Sequence, residues 1–561
     1  MARKQQIKII GIVIFVAFIF VKCANQMSPP GGDIDKVPPI ILSTYPENGT
    51  TNFSENSIEF TFSEYVNKRN INDAFFISPL YDGYPEFSWT NKTVYISFPD
   101  SLNPNTTYSV IIGTEITDVN NNNNMKEPFI LTFSTGSKID SGKISGKVYT
   151  EKSEGTLIFA YKIDTGFVNI YKEKPSYLSQ INNKGNYELN GLGNGSYLLF
   201  AVKDAFKDLI YNIGDDFIGI PNKIAEITHE TNALSNFNFF IHKEDTLAPN
   251  VQSVTMTDKN HIIVEFNEPI DSSKISINNF SIFDSTMNAS HPIKYWFNGN
   301  PNKHQYILCL TDSLNVKNEF YLYSKNFVDK KGNFTKLEIT SFVASEKPDT
   351  NEIKIDKIET GFTKSEIDYL KPNFSVSFSD AFNSDLIDNA VKFYTRDSVS
   401  IPIKISPINY AKYEVFSESS IKPKENYFFQ VDMKYLSDAA GNIVDTVLSK
   451  RIVTVNDLDF SGASGFVNKA NYENIKVILQ EDNKPSSRKQ INLATNNTFN
   501  FERVIPGKYL IWAYVDADSN NSYSYGLIDT LKFAEVFKFY PDTLNLRARW
   551  PVGDIEIDFT K

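Results

Sequence analysis

The stretch best suited to hold a metal ion is Asp516-Ala-Asp518-Ser-Asn520-Asn-Ser522, which sets oxygen-bearing side chains at alternate positions. A loop presents ligands to Ca²⁺ in that way, so Asp516, Asp518 and Asn520 are the candidate metal ligands and Ca²⁺ the one candidate cofactor. The loop departs from an EF-hand: Asn521 stands sixth where glycine is needed, and Leu527 twelfth where a bidentate Glu closes the shell. The matching loop earlier in the chain, Asp204-Ala-Phe206-Lys-Asp208, places a phenylalanine at a ligand position. A polar loop after a strand accounts for the same residues.

Other reactive groups are scattered. Glu64, Glu268 and Asp380 occupy one repeated position, as do Asp118, Asp329 and Asp438. A glycosidase-type pair needs a second carboxylate at a defined separation in one pocket. Repetition predicts instead a shared structural role, such as a strand-end bond to backbone N–H. The five histidines, His229, His242, His261, His291 and His304, show no metal-ligand spacing and read as solvated. Cys309, in Tyr306-Ile-Leu-Cys-Leu310, reads as a small buried apolar residue of a strand. No phosphate-binding loop, dinucleotide fingerprint or nucleophile elbow is present. The expectation is a chain without catalytic residues.

Cys23 carries chemistry of another kind. Arg3, Lys4 and Lys8 precede an almost wholly apolar run, Ile9–Val21. About 13 residues at 1.5 Å rise fall short of the roughly 30 Å needed to span hydrocarbon, so residues 1–22 read as a secretory signal. The run ends on Cys23-Ala-Asn25, which resembles the bacterial lipobox, although Lys22 stands where Gly, Ala or Ser is usual. The resemblance implies that the Cys23 thiol and the new amino terminus are acylated. Three acyl chains exceed the two signals that stable anchoring requires. The first partner is thus a lipid bilayer. Residues 23–36, with Ser28-Pro-Pro-Gly-Gly-Asp33, form a flexible tether of about 14 residues.

The elements behind these residues are strands. The chain has 44 Phe and 29 Tyr against 4 Trp, with Asn, Ser and Thr clusters between short apolar runs. Removing the four basic residues of the leader leaves 52 basic against 67 acidic side chains, net −15, which excludes a basic nucleic-acid-binding face. One pattern recurs three times: Ile58-Glu-Phe-Thr-Phe-Ser-Glu64, Ile263-Val-Glu-Phe-Asn-Glu268 and Phe374-Ser-Val-Ser-Phe-Ser-Asp380. Each is followed by an aromatic strand and a turn opening at Asp118, Asp329-Lys-Lys-Gly-Asn333 or Asp438-Ala-Ala-Gly-Asn442. A second pattern opens with Ile144-Ser-Gly-Lys-Val148 or Ala463-Ser-Gly-Phe-Val467. It closes with Leu192-Gly-Asn-Gly-Ser-Tyr-Leu198 or Val504-Ile-Pro-Gly-Lys-Tyr-Leu510.

The first pattern resembles the bacterial Ig-like domain of S-layer and other surface proteins, over 37–137, 246–348 and 349–455. The second resembles the transthyretin-like, or carboxypeptidase-regulatory-like, fold over 138–245 and 456–561. The fold expected is all-β, a tandem series of β-sandwich modules. With the Cys23 leader, the whole resembles Ig-like domain-containing lipoproteins of the Bacteroidetes. That resemblance implies an address in the outer membrane, the cell surface favoured over the periplasmic face, and a scaffold role among other envelope proteins. An accessory place in an outer-membrane β-barrel assembly or export complex fits that address. A carbohydrate-binding or adhesin role is the alternative, and would need aromatics such as Trp89, Trp296, Trp512 or Trp550 on one exposed face.

Overall fold

A computed structural model describes residues 35–560 except 82, 151–152, 164–167, 351, 363–364 and 483. The chain is nearly all β. In the first module the strands are β1 (Ile41–Tyr45), β2 (Ser57–Phe62), β3 (Phe75–Ser78), β4 (Glu86–Thr90), β5 (Thr93–Ser97), β6 (Thr107–Ile112) and β7 (Phe129–Ser134). One sheet runs β1-β2-β5-β4 and the other β3-β6-β7, the two-sheet arrangement of an Ig constant-type sandwich. Alternation in β2 sends Ile58, Phe60 and Phe62 into the core, where they meet Val94, Ile96, Val110, Ile112, Leu131 and Phe133. Burying each such side chain contributes about 1.5–3 kcal/mol.

The same sheet order returns twice. Val251–Met256, His261–Phe266, Gln305–Leu310 and Ile293–Asn298 form one four-stranded sheet in that order. Ile355–Thr360, Asn373–Phe378, Lys412–Phe416 and Lys404–Asn409 form its counterpart. The Tyr108 hydroxyl, at the start of β6, accepts the Asn103 N–H at 2.8 Å, and Tyr427 accepts the Lys422 N–H at 2.9 Å. These are the tyrosine corners of an Ig-like sandwich. The middle copy has Phe320 at the corresponding place and forgoes the hydroxyl.

The other two modules also share a topology. Gly142–Tyr149 pairs antiparallel with Asn186–Leu192 and parallel with Ala233–Leu234 and Phe239–Phe240. Ser461–Asn468 pairs antiparallel with Thr498–Val504 and parallel with Val552–Asp558. Glycine in the opening motif is required by that parallel partner. A Cβ on Gly146 would lie 1.9 Å from the Phe237 carbonyl oxygen, and one on Gly465 1.9 Å from that of Ile555.

The chain divides into two compact units. One comprises residues up to Ile210 together with Ile224–Phe240; the other comprises Tyr211–Lys223 and everything from Ile241 onward. The 138–245 stretch, expected as one module, is therefore shared between them. Within the first unit, the Gln180 side chain accepts the Thr114 N–H at 2.7 Å and donates to Glu115 at 2.5 Å. Within the second, Arg503 grips Asp368 with two bonds of 2.5 Å and also pairs with Asp457, its guanidinium 4.0 Å from the Phe460 ring centroid. The last module also reaches back inside this unit. Tyr525 lies against His242 and under Lys331, and the Ala534 N–H meets the Pro221 carbonyl at 3.0 Å. No helix among the described residues is long and apolar enough to cross a membrane.

Candidate functional site

Cys23 and the tether as far as residue 34 lie outside the described residues. The metal-ligand candidates fall at the end of strand Gly507–Val515. Asp516 and Asp518 converge there with Glu535, one ligand oxygen of each within 4.8 Å of the others. Asn520 stands beside these carboxylates. Its amide nitrogen donates to Asp518 at 2.8 Å and to the Ser524 hydroxyl at 3.1 Å, and its amide oxygen accepts the Ser522 N–H at 2.7 Å. Glu535 lies 15 residues beyond Asn520 and is brought in by the return of the chain. Burial raises its pKa, against hydrogen bonds from the Ser524 and Ala517 N–H groups. Asp516 is 1% exposed, and its Oδ1 has no hydrogen-bond partner. A resident cation already serves the other oxygen: buried Lys476 lies 3.3 Å from Oδ2 and is held by Asn492 and Asn521. The all-oxygen set suits a hard cation, with Lys476 supplying part of the counter-charge. In the earlier loop Asp204 instead accepts the Lys207 and Leu209 N–H groups.

The repeated turn aspartates bind their own backbone. Asp329 accepts the N–H groups of Lys331, Gly332 and Asn333 at 2.6–2.9 Å, and Asp118 does the same for Asn121, Asn122 and Asn123. Asp438 accepts both Asn442 N–H donors. Each closes a turn, as repetition predicted. The strand-end acids divide. Asp380 accepts the neighbouring Ala381 N–H at 2.6 Å, as expected. Glu268 meets Asp245 and Asp329 instead, and its Oε1 has no hydrogen-bond partner. Burial, then the charges of Asp245 and Asp329, push Glu268 up to about 7.

The densest cluster of titratable groups is one that spacing did not reveal. His261 and Cys309 are cross-strand partners in the first sheet of the 246–348 module, on its outward face. The core of that module takes the alternate residues Ile262, Val264 and Phe266. The outward face is nevertheless closed, because Tyr295, Phe297 and Cys309 pack against Ala381, Ala411 and Ala439 of the following module. The His261 Nδ1 meets Asp258 at 2.9 Å and its Nε2 meets Asp380 at 3.1 Å, while the Cys309 sulfur lies 3.9 Å from the same Asp380 oxygen. Asp349 stands 4.0 Å from Nδ1. Burial alone would lower the His261 pKa, but the bonds to Asp258 and Asp380 outweigh it and hold the ring protonated. Burial pushes the Cys309 thiol up to about 11.

The solvated reading therefore fails for His261, which is 8% exposed, and Cys309 has polar as well as apolar neighbours. His242 is half-buried against Tyr525, and burial with the nearby Lys331 lowers it to about 4. One signal was present once register is known. The first module pairs Ser57 with Ser97 at the position where the 246–348 module pairs His261 with Cys309. Of the tryptophans, Trp296 and Trp512 are buried, Trp89 packs against its module's core, and Trp550 is 74% exposed.

The family model of the bacterial Ig-like domain matches residues 35–135, the first sandwich. Among curated proteins none matches the chain. Solved structures similar to it include the N-terminal part of the bacterial S-layer protein SbsC, at 15% identity and a TM-score of 0.17, covering 37% of this chain and 45% of that one. A longer S-layer SbsC structure matches at 11% identity and 0.16, over 91% and 64% of the two chains. BcpA, the major pilin subunit of Bacillus cereus, matches at 9% and 0.13, over 75% and 99%. The chain thus spans less than two thirds of the S-layer chains it matches. At these scores the likeness carries no argument about what the chain does. The protein is a series of β-sandwich modules whose first member matches the bacterial Ig-like domain.

Proposed function

We propose that this chain is a non-catalytic lipoprotein of the bacterial outer membrane, tethered by an acylated Cys23, and that its modules form a structural or protein-interaction scaffold. One observation supports the scaffold reading above others: buried and half-buried polar groups of the sandwiches are used as joints. Gln180 with Glu115, His261 with Asp380 and Arg503 with Asp368 each tie one module to the next. Joints of this kind fix the relative placement of neighbouring modules, which a scaffold needs and a flexible linker does not supply. The partner class within reach of such an anchor is an envelope protein, with an outer-membrane β-barrel assembly or export complex foremost. Cell-surface display is favoured over the periplasmic face.

Metabolic labelling with a palmitate analogue tests the anchor. The wild type takes up label and partitions with membranes, and Cys23→Ala does neither; a labelled, membrane-held Cys23→Ala overturns the reading. Protease treatment of intact cells tests sidedness. Digestion means surface display, and protection until the outer membrane is opened means the periplasmic face. Crosslinking in cells tests the scaffold, with a β-barrel outer-membrane protein as the expected adduct.

A further inference from the structure

We propose that His261, Cys309 and Asp380 form a binding site for a zinc-class divalent metal ion, clamping the 246–348 module to the 349–455 module. Cys sulfur, His nitrogen and Asp oxygen are the ligand types zinc selects, in tetrahedral geometry. Bonds of about 2.0–2.3 Å give tetrahedral ligand-to-ligand edges of roughly 3.3–3.6 Å. Here the Nε2-to-Asp380 edge is 3.1 Å and the sulfur-to-Asp380 edge 3.9 Å, each within a few tenths of an ångström of that range, and the sulfur-to-His261 edge lies within 4.8 Å. All three groups are buried, and one ligand atom from each lies within 4.8 Å of the others.

Two further features point to a metal. Asp380 is 4% exposed, yet its Oδ2 has no hydrogen-bond partner. Asp258 takes the Nδ1 side of His261 at 2.9 Å and accepts the Asn260 and His261 backbone N–H groups at 3.0 Å. A carboxylate behind the ligating histidine fixes ring orientation and leaves Nε2 for the metal. A water supplies the fourth ligand, Asp349 lying 4.0 Å from the Nδ1 side of the ring. Binding displaces the Nε2 proton of His261 and the thiol proton of Cys309, both released to solvent. The Nδ1 proton stays between His261 and Asp258. The Asp516 cluster, with oxygen ligands only, offers no competing thiolate.

The test uses the full chain in detergent, loaded with Zn²⁺ and desalted, then loaded separately with Co²⁺ as a spectroscopic probe. The expected result is one zinc retained per chain, intense tetrahedral cobalt bands, and a thiolate-to-cobalt charge-transfer band. Cys309→Ala keeps a small apolar residue in a buried position; it should lose the charge-transfer band and the retained zinc. Asp258→Asn is expected to keep the thiolate band while weakening zinc binding by about 10–100-fold. No retained zinc in the wild type, weak octahedral cobalt spectra, or equal zinc retention by Cys309→Ala would each overturn the proposal.

Discussion

Glu268 and Asp380 occupy the same position of the same repeat, two residues beyond the strand that crosses the middle of the first sheet, yet their surroundings differ in sign. Each sits in a corner with the aspartate of the following turn, Asp329 or Asp438, and with an aspartate six residues before the module's first strand, Asp245 or Asp349. The first module repeats the corner: burial, Asp118 and then Asp35 raise the pKa of Glu64. The Glu268 corner holds three carboxylates, and Glu268 responds by keeping its proton to about pH 7. The Asp380 corner receives His261 from the preceding module and becomes an ion-paired joint. A repeat thus supplies an acidic corner wherever it occurs. Only the docking of a neighbour decides whether the corner is compensated.

The comparison breaks most sharply at His261. Replacing it by Ala leaves the Asp258 and Asp380 carboxylates buried without their cation, a loss of about 3–5 kcal/mol. Urea unfolding of the full chain reads this as a lower midpoint. The matching Ser57→Ala in the first module should stay within about 0.5 kcal/mol. If the two variants fell equally, the joint would not be what distinguishes the corners.

Next come the turns, which the comparison holds to be alike. Asp329→Ala strands three backbone N–H donors, and Asp438→Ala one backbone N–H and the Asn442 amide, so each should cost about 2 kcal/mol. A difference of twofold or more between them, measured by thermal melts, would show that the two turns are not equivalent. Tyr427→Phe deletes the hydroxyl that accepts the Lys422 N–H and should cost about 1 kcal/mol. The module with Phe320 already lacks that bond, so Phe320→Leu should show a loss of packing alone.

The smallest effect is the pH dependence of Glu268. Its folded pKa lies above the ordinary 4.5, so folding favours the protonated form. The penalty of ionising it is absent below about pH 4.5, grows as pH rises, and is complete above about pH 7. Glu268→Gln should therefore leave stability unchanged at pH 4 and raise it by about 1 kcal/mol or less at pH 8, after allowing for solvent screening. Equal stability of variant and wild type at pH 8 would remove the contrast between the corners.

Much of the fold was legible because it rests on local periodicity. The alternation in Ile58-Glu-Phe-Thr-Phe62 fixes which face of β2 is buried, whereas the parallel strands that crowd Gly146 and Gly465 are known only from the fold. The candidate cation loop was legible in part. Asp516 and Asp518 are close in sequence and remain close in space, whereas Glu535 joins them only through a return of the chain. Within 138–245, Tyr211–Lys223 falls with the second compact unit and Ile224–Phe240 with the first, a division set by long-range contacts that no local pattern carries.

The sequence by itself determined the strands, their inward faces, and the repeated strand-end and turn acids Glu64, Glu268 and Asp380 with Asp118, Asp329 and Asp438. These follow from side-chain period and spacing, which short stretches of chain carry alone. Only the tertiary structure decided that the outward-facing pair His261 and Cys309 would be buried, and that Asp380, 119 residues from His261, would lie 3.1 Å from its ring. The reason is physical: alternation tells which face of a strand turns from its own core, but not whether another module will cover that face.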